Sequence, residues 1–524
     1  MTVLSRHVDA RLASERATTE AQMHVLTRVF GAVGAFVLAA AMPGCAVGPD
    51  FHPVAAPAVN VYTSEPLPAQ TASADVIGGS AQTMLAGADI PGQWWNLFHS
   101  AQLDRLVDEA LKANPNVTAA QAALREANET AAAEKGYLYP SVTAGVSGLR
   151  ERRLFYKSGV PAGISAPFNL LNVGVNVSYT LDVFGGIRRQ VEAANAQSEY
   201  QQFQLEATYL TLTADVVTAA IQEASIRGQI GATIRLINDE RDQLSIVQSE
   251  FDLGGASQAD VAAQRTTLAQ TEATLPPLNK QLQIERDLLR LLTGHLPSED
   301  VGEKFDLSDL QLPDNLPLSL PSQLVEQRPD VRQFQALLHV ASAEVGVATA
   351  NMLPQFTISG GLGIYAAQGV NPAILAWSAA AGIAQPIFEG GTLRHRRRAA
   401  IEAYNQALAE YRYTVLVAFQ NVADSLHAIE SDADAVRADA IAEHSAAESY
   451  LLARDQYQAG YIPYLSLLVA ENSYQQTIIS LVQAEASRYA DTAALFQALG
   501  GGWWNRSDII VSDVPRQDPR SLTP

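Results

Sequence analysis

The segment LNVGVNVSYTLDV, residues 171–183, alternates apolar and polar side chains along its whole length. Leu171, Val173 and every second residue up to Val183 form one series, and the residues between them are polar or small. A period of two is typical of a β-strand with one oily face and one wet face. Such a strand, with a rise of about 3.3 Å per residue and a tilt of about 45°, reaches about 30 Å. It is therefore predicted to cross a membrane; the alternative is a soluble antiparallel sheet whose oily face covers a core.

Three other segments show the same period. They run from Val142 to Val146, from Phe356 to Ile364 and, more weakly, from Ile374 to Phe388. Four strands cannot close a barrel, and an open edge in lipid would leave backbone N–H and C=O groups unpaired. Other copies of the chain are therefore expected to complete a barrel around a water-filled lumen, with two, three or four copies all possible on this argument.

A tandem repeat organises the chain. Residues 114–143 align without a gap on residues 328–357, so that Pro115 meets Pro329 and Pro140 meets Pro354. Each half is predicted to contain a helix, two strands and a long helical hairpin. The fold class is therefore α+β, with very long α-helical hairpins and four strands per chain.

The hairpin arms are predicted from the scarcity of helix breakers. The stretch from Leu393 to Gln458 has neither Gly nor Pro, and from Arg188 to Asp252 only Gly228 and Gly231 interrupt. Helices of this length would each extend about 100 Å. They are predicted to turn at residues 253–257 and 459–463 and to return to Thr293 and Leu499, with a kink at Pro276 and Pro277.

The single cysteine follows an apolar segment near the start. Val29 to Met42 carries no charge, and the preceding Arg28 completes the pattern of a secretory signal, with Met1 or Met23 as the start. Gly44 directly before Cys45 resembles a bacterial lipobox, although Met42 and Pro43 depart from its usual residues. The resemblance implies that Cys45 is lipidated; the alternative is a buried or incidental cysteine near an ordinary cleavage site. Ala46, in place of Asp after the cysteine, resembles the signal for delivery to the outer membrane.

These patterns divide the chain into six segments. They are a lipoprotein-type signal peptide (1–44), a lipidated extended segment (45–99), the first repeat (100–294), an equatorial linker (295–321), the second repeat (322–502) and a C-terminal tail (503–524).

Composition and motifs exclude several functions. The formal charge of −20 argues against nucleic acid as a partner, because phosphate backbones are bound by Lys and Arg. The sequence has no phosphate loop, no nucleophile elbow and no metal-ligand spacing, so neither an enzyme nor a cofactor is expected. The basic cluster RHRRR (394–398) is predicted to lie at the membrane boundary, near anionic headgroups or other copies.

Several motifs carry a family resemblance. They are PGQWWNLF (91–98), LPSQLVEQRPDV (320–331), PIFEGGTLR (386–394), YLSLLVAEN (464–472) and ALGGGW (498–503). In this order they resemble the TolC-like outer-membrane factor family, specifically its lipoprotein efflux branch. The resemblance implies a homotrimer with a twelve-stranded barrel and a periplasmic α-barrel. It also implies an exit duct that works with a periplasmic adaptor (membrane fusion) protein and an inner-membrane transporter. The alternative is a lipid-anchored structural or adhesin protein without a lumen.

The hairpin turns are the predicted site of gating. The family usually has Leu-Leu-Asp-Ala-Gln-Arg after the second turn, whereas this chain has Leu467, Leu468, Val469, Ala470, Glu471 and Asn472. Either Leu468 and Val469 close the bore by apolar packing, or acidic residues such as Asp260 and Glu471 supply the charge. The charged residues predicted to pair near the turns are Asp260, Arg454 and Asp455, and the predicted adaptor contacts are Gly254, Gly255, Gly460 and Pro463. Turn formation alone would also explain the glycines.

Overall fold

A computed structural model of the chain describes residues 46–152, 154–157, 160–164, 166–299, 302–367 and 373–506. These residues fall into two compact units. The first unit consists of the described residues within 46–51, 129–195 and 339–405, and the second of those within 52–128, 196–338 and 406–506. The first carries the large β-sheet, and the second carries the main apolar core.

The two halves of the chain contain helices of equal length. The described helices are α1 (Ala101–Ala113), α2 (Pro115–Gly136), α3 (Gly186–Asp252), α4 (Gln258–Leu292), α5 (Pro321–Gln327), α6 (Pro329–Ala350), α7 (Thr392–Gln458) and α8 (Tyr464–Ala498). Helices α2 and α6 have 22 residues each, α3 and α7 have 67 each, and α4 and α8 have 35 each. The repeat predicted from the sequence is therefore present in the structure.

The helices are less interrupted than their sequences suggest. Helix α3 remains helical through Gly228 and Gly231, and α4 through Pro276 and Pro277. A glycine inside a helix costs only about 1 kcal/mol relative to alanine, which a long packed helix offsets. The two prolines remove hydrogen-bond donors from α4, and the kink expected there stays a prediction.

Four long antiparallel strands form the sheet of the first unit. The described strands are β1 (Thr83–Ala86), β2 (Ser141–Glu151), β3 (Leu154–Lys157), β4 (Val160–Ile164), β5 (Phe168–Leu181), β6 (Asn315–Leu318), β7 (Gln355–Ala367) and β8 (Ile374–Ala384). Their order in the large sheet is β2-β5-β7-β8. The four strands predicted from the alternating pattern are therefore present and lie side by side.

The strand ends differ from the predicted ones for local reasons. Strand β5 ends at Leu181, before the predicted Val183, because the carboxylate of Asp182 accepts hydrogen bonds from the backbone N–H groups of Ile187 and Arg188 at 2.9 Å. Asp182 thus belongs to the start of α3. Strand β8 ends at Ala384, before the predicted Phe388, since Pro386 has no N–H to pair.

Two smaller sheets were not predicted. Strands β3 and β4, which lie between β2 and β5 in the sequence, pair with each other in a separate antiparallel sheet. Strand β1 pairs in parallel with β6, which lies within the predicted linker 295–321. The described chain therefore contains more strands than the four predicted from the alternating pattern. Pro321, the last residue of the predicted linker, is the first residue of helix α5.

The core of the second unit packs the N-terminal segment against α8. The ring of Trp94 stacks on Phe496, with centroids 5.4 Å apart. The buried guanidinium of Arg488 donates hydrogen bonds to the backbone oxygens of Gly78 and Ser80, at 2.9 and 2.7 Å. A buried charge requires such partners, so Arg488 fixes the course of this segment. Of the described helices, none is long and apolar enough to span a membrane.

Candidate functional site: a two-faced sheet and the hairpin tips

One face of the large sheet is apolar and exposed within this chain. Its two central cross-strand rows are Val146, Val173, Ile364 and Leu375, and Ala144, Val175, Leu362 and Trp377. The large side chains of both rows are exposed, with Trp377 at 66%. An exposed apolar surface that continues across four strands indicates contact with a lipid or a protein.

The opposite face is lined by small and polar residues. Gly145, Gly174 and Gly363 form one cross-strand row, and Asn176 pairs with Gly361 in the next. The side-chain oxygen of Asn176 lies 2.9 Å from the position that a Cβ on Gly361 would occupy. The glycines therefore leave room for asparagine side chains to lie over the neighbouring strand. This keeps the face polar, and few side chains project far from it.

Both edges of the sheet are unpaired among the described residues. Strand β2 pairs with β5 alone, and β8 pairs with β7 alone. Each edge therefore presents a row of backbone N–H and C=O groups that another strand could pair with.

The segment that follows Cys45 is held against the end of this sheet. Cys45 itself lies outside the described residues. The N–H of Val47 donates to the backbone oxygen of Phe184 at 2.9 Å, and Arg189 pairs with Asp50 at 2.7 Å. The ring of Phe51 stacks on His339, with centroids 4.3 Å apart.

Two tight turns connect the arms of the hairpins in the second unit. Gly254 and Gly460 have φ angles of +82° and +75°, which a residue with a side chain rarely adopts. Backbone geometry thus accounts for both glycines. The N–H of Gly255 closes the first turn by donating to the backbone oxygen of Glu250 at 2.7 Å, and Pro463 is the N-cap of α8.

A small apolar core lies behind the two turns. Its buried members are Val247, Val261, Tyr464 and Leu467. Two hydroxyl groups join the hairpins there: Tyr457 donates to the side chain of Glu250 at 2.5 Å, and Tyr464 donates to the side chain of Gln264. These ties were not predicted, because only the packing of the hairpins brings residues 200 or more positions apart into contact.

The predicted gate residues occupy different environments. Val469 is 62% exposed, and Leu468 is half-buried against the small apolar core behind the turns. Glu471, predicted from sequence as one of the acidic residues that could supply charge at the gate, is buried at 3%. Burial, and secondarily the nearby Glu240 and Asp239, raises the pKa of the Glu471 carboxyl to about 7. Within this chain it is therefore a buried group rather than a charge on the surface.

Glu240 on α3 is the buried neighbour of Glu471. It accepts a hydrogen bond from Thr271 at 2.7 Å and another from the side chain of Gln475. Burial raises the pKa of Glu240, although both hydrogen bonds lower it. The hairpins therefore enclose two carboxyl groups, and each has one oxygen without a hydrogen-bond partner in the described chain.

The remaining charged residues make local contacts. Asp260 forms a capping box with Ser257 at the start of α4, with its carboxylate accepting from the Ser257 N–H at 2.9 Å. Arg454 and Asp455 are adjacent in sequence, and their charged groups lie 3.9 Å apart. In this chain Asp260 serves its own helix end, and the Arg454–Asp455 pair is solvated and weak.

Comparisons with known proteins agree with this geometry. Over 450 residues the chain is 28% identical to the pyoverdine export outer membrane protein OpmQ of Pseudomonas putida, covering 84% of this chain and 94% of the relative. It is 25% identical over 491 residues to the outer membrane protein OprJ of Pseudomonas aeruginosa, covering 91% and 97%. The solved structure of the outer-membrane channel OprN superposes with a TM-score of 0.77 at 26% identity, over 88% of this chain and all of that one.

The family profile described as outer membrane efflux protein matches both repeats, at residues 106–295 and 320–501. These two segments cover most of the chain and contain the two-faced sheet and both hairpin tips. The chain therefore belongs to the outer membrane efflux protein family, and it is an outer-membrane channel component of efflux.

Proposed function

We propose that three copies of this chain form the exit duct of a tripartite efflux system. In this arrangement the strands close into a twelve-stranded transmembrane barrel and the hairpins form a periplasmic α-barrel. A periplasmic adaptor protein and an inner-membrane transporter supply small molecules, such as antibiotics or toxic compounds, to its lower end. The duct forms no covalent bonds with its cargo, so it needs no cofactor and catalyses no reaction.

The observation that carries the proposal is the four-stranded sheet with two unpaired edges. Its apolar face suits acyl chains, and its asparagine- and glycine-lined face suits water. An unpaired backbone group in lipid costs several kcal/mol, so edge β2 must meet edge β8 of another copy. Three copies joined in this way give a barrel of the porin type with a water-filled interior.

The N-terminal anchor is part of the same proposal. Residues 1–44 serve as the signal peptide, and Cys45 carries acyl chains. The docking of Val47 against Phe184 supports this reading, because it places residue 46 beside the end of β5, where a bilayer surface is expected. Intact-mass measurement of the mature protein is expected to show a modified Cys45; an unmodified thiol would contradict the anchor and leave the duct untouched.

The sites at the hairpin tips are assigned on the same basis. Leu468 and Val469 close the bore at rest, and Asp260, Arg454 and Asp455 make weak contacts between neighbouring copies. The turns at Gly254, Gly255, Gly460 and Pro463 contact the adaptor. Their exposure within this chain supports the assignment, since nothing in the described tip covers the turns.

Cysteine cross-linking between the sheet edges tests the trimer. Cysteines would be placed along β2 (at Thr143, Gly145 and Ser147) and, one at a time, along β8 (at Ala376, Ser378 and Ala380) of the full chain. We expect oxidation to produce covalent trimers on denaturing gels for the pairs in register. The matched control places both cysteines on the central strands β5 and β7, at Asn176 and Gly361, where a bond would stay within one chain. Monomers in every edge pairing would refute the closed ring.

A further inference from the structure

Four exposed arginines lie within five residues at the start of α7. They are Arg394, Arg396, Arg397 and Arg398. None of the four makes an ion pair with another described residue. The efflux function gives this cluster no role, because it follows the sheet and is far in sequence from the hairpin turns.

The position of the cluster is electrostatically unfavourable for the isolated chain. The N-terminus of a helix carries a partial positive charge and N–H groups without intrahelical acceptors. Positive side chains in the first turns add to that potential instead of offsetting it. An anion with several oxygens, such as a phosphate group, would relieve both the arginines and the helix end.

The equivalent helix of the first repeat shows the contrast. At the start of α3, Arg188 pairs with Asp182 at 3.0 Å, and Arg189 pairs with both Asp50 and Glu192 at 2.7 Å. The first repeat thus neutralises its arginines with acids of the same chain. The second repeat has more positive charge at this point, and no acid among the described residues pairs with it. A counter-charge from outside the chain would therefore be favourable.

Apolar residues beside the cluster indicate what lies outside. Ile387 and Phe388, just before α7, are 93% and 87% exposed. Tyr137 and Tyr139 are also exposed and precede β2. Because the strands are antiparallel, the start of β2 and the end of β8 lie at the same end of the sheet. Exposed aromatic and apolar residues followed by basic ones are typical of a membrane–water interface.

We propose that Arg394, Arg396, Arg397 and Arg398 bind the phosphate groups of anionic phospholipids in the periplasmic leaflet, while Ile387 and Phe388 insert among the acyl chains. This inference rests on the proposed placement of the sheet in the outer membrane. It adds a lipid-binding site that closure of the barrel does not require.

Lipid binding by the intact purified protein tests the proposal. Phosphatidylglycerol and phosphatidylcholine would be titrated separately into the full chain in a neutral detergent, with bound lipid counted by native mass spectrometry. We expect phosphatidylglycerol to bind more tightly. Substitution of all four arginines by Gln should weaken that binding by about fivefold for each arginine removed, which is about 1 kcal/mol each.

Two variants make the test specific. A control in which the exposed Arg105, Arg241, Arg412 and Arg437 are all changed to Gln has the same net charge and should bind phosphatidylglycerol like the wild type. The double variant Ile387→Ser, Phe388→Ser should weaken the binding of phosphatidylglycerol and of phosphatidylcholine to the same extent. Equal phosphatidylglycerol binding by the four-Gln variant and the wild type would overturn the proposal.

Four other outcomes separate this site from its rivals. Displacement of phosphatidylglycerol by millimolar inorganic phosphate would show a site for free phosphate and overturn the lipid assignment. Dissociation of trimers of the four-Gln variant in neutral detergent would show that the arginines contact another copy, which also overturns it. A four-Gln variant that conducts normally in phosphatidylcholine bilayers but has lost lipid selectivity supports the proposal. If the wild type selects phosphatidylglycerol but conducts in no bilayer, the proposed duct is contradicted and the lipid-binding site is supported.

Discussion

The phenolic hydroxyl of Tyr457 donates a hydrogen bond to the carboxylate of Glu250 at 2.5 Å and ties the turn end of α7 to the turn end of α3. Burial and the adjacent carboxylate raise the pKa of Tyr457, so the hydroxyl keeps its proton as a donor. The two hairpins of one chain are thus joined directly behind the turns. Any motion that separates the tips must break this bond.

Tyr457→Phe should loosen the tip. A hydrogen bond to a charged acceptor contributes about 1.5 kcal/mol or more, so the variant should unfold at a lower temperature and conduct more in the absence of adaptor. Tyr461→Phe is the matched control, because Tyr461 lies in the same turn region and its side chain is 82% exposed. Thermal unfolding and single-channel recording of both variants check the prediction. Equal behaviour of the two would show that the tie does not restrain the tip.

The buried carboxyl of Glu471 should make stability depend on pH. Its pKa is raised from the usual 4.5 to about 7 in the folded chain. Between these values the unfolded chain loses the proton while the folded chain keeps it. The free energy of unfolding should therefore fall as pH rises from 4.5 to 7, by on the order of 3 kcal/mol at most, and then level off.

Glu471→Gln should reduce this dependence by the share of Glu471 only, because burial also raises the pKa of Glu485 and of Asp432 to about 7. The amide cannot ionise, so the variant should be more stable than the wild type at pH 8 and similar to it at pH 4.5. Glu448→Gln, an exposed position on α7, serves as the control and should follow the wild type. Melting temperatures measured across this pH range decide the matter. A fall in Glu471→Gln that is as steep as in the wild type would show that Glu471 does not contribute and would assign the titration to the other buried carboxyls.

Val469 should control the closed state through its lack of charge. In the proposed trimer, Val469→Asp places three like charges around a narrow bore. Their repulsion and hydration should widen and wet it, so conductance and antibiotic uptake should rise. The fraction of time that the wild type is closed should depend only weakly on salt, since apolar packing is not screened as exposed ion pairs are. Val469→Thr, nearly the same in shape and uncharged, should change little. A wild type that opens steeply with salt, together with an inert Val469→Asp, would move the closure to Asp260 and Arg454.

The two faces of β5 should tolerate charge differently. Val175→Arg and Val177→Arg lie on the apolar face, where arginine near the bilayer midplane costs about 2 to 4 kcal/mol per copy. Membrane insertion should fail. Asn176→Arg lies between them on the polar face and should insert normally. Fractionation of outer membranes measures all three, and equal loss at Val175 and Asn176 would mean that the faces are wrongly assigned.

The strands and long helices could be predicted because their signals are local. Alternation from Leu171 to Val183 indicates β5, and the absence of Gly and Pro from Leu393 to Gln458 indicates α7. The parallel pairing of β1 with β6 could not be predicted in this way. Each strand has only four residues, and their contact joins segments more than 200 residues apart.

The burial of individual side chains at the hairpin tips could not be predicted from the sequence either. Glu471 lies in a motif next to the exposed Val469, and nothing local distinguishes an outward glutamate from a buried one. Its burial depends on packing against α3, where Glu240 lies. The same holds for the tie between Tyr457 and Glu250. Turn glycines, in contrast, could be predicted because the positive φ at Gly254 and Gly460 is a local requirement.

Conductance of the purified full chain in planar lipid bilayers tests the central claim most directly. If the chains close into a duct through their two-faced sheets, insertion should produce discrete, uniform steps in current that Val469→Asp enlarges. A protein that inserts into the bilayer and remains oligomeric, yet passes no ions even as Val469→Asp, would contradict the duct. It would leave a lipid-anchored helical assembly without a lumen as the correct account.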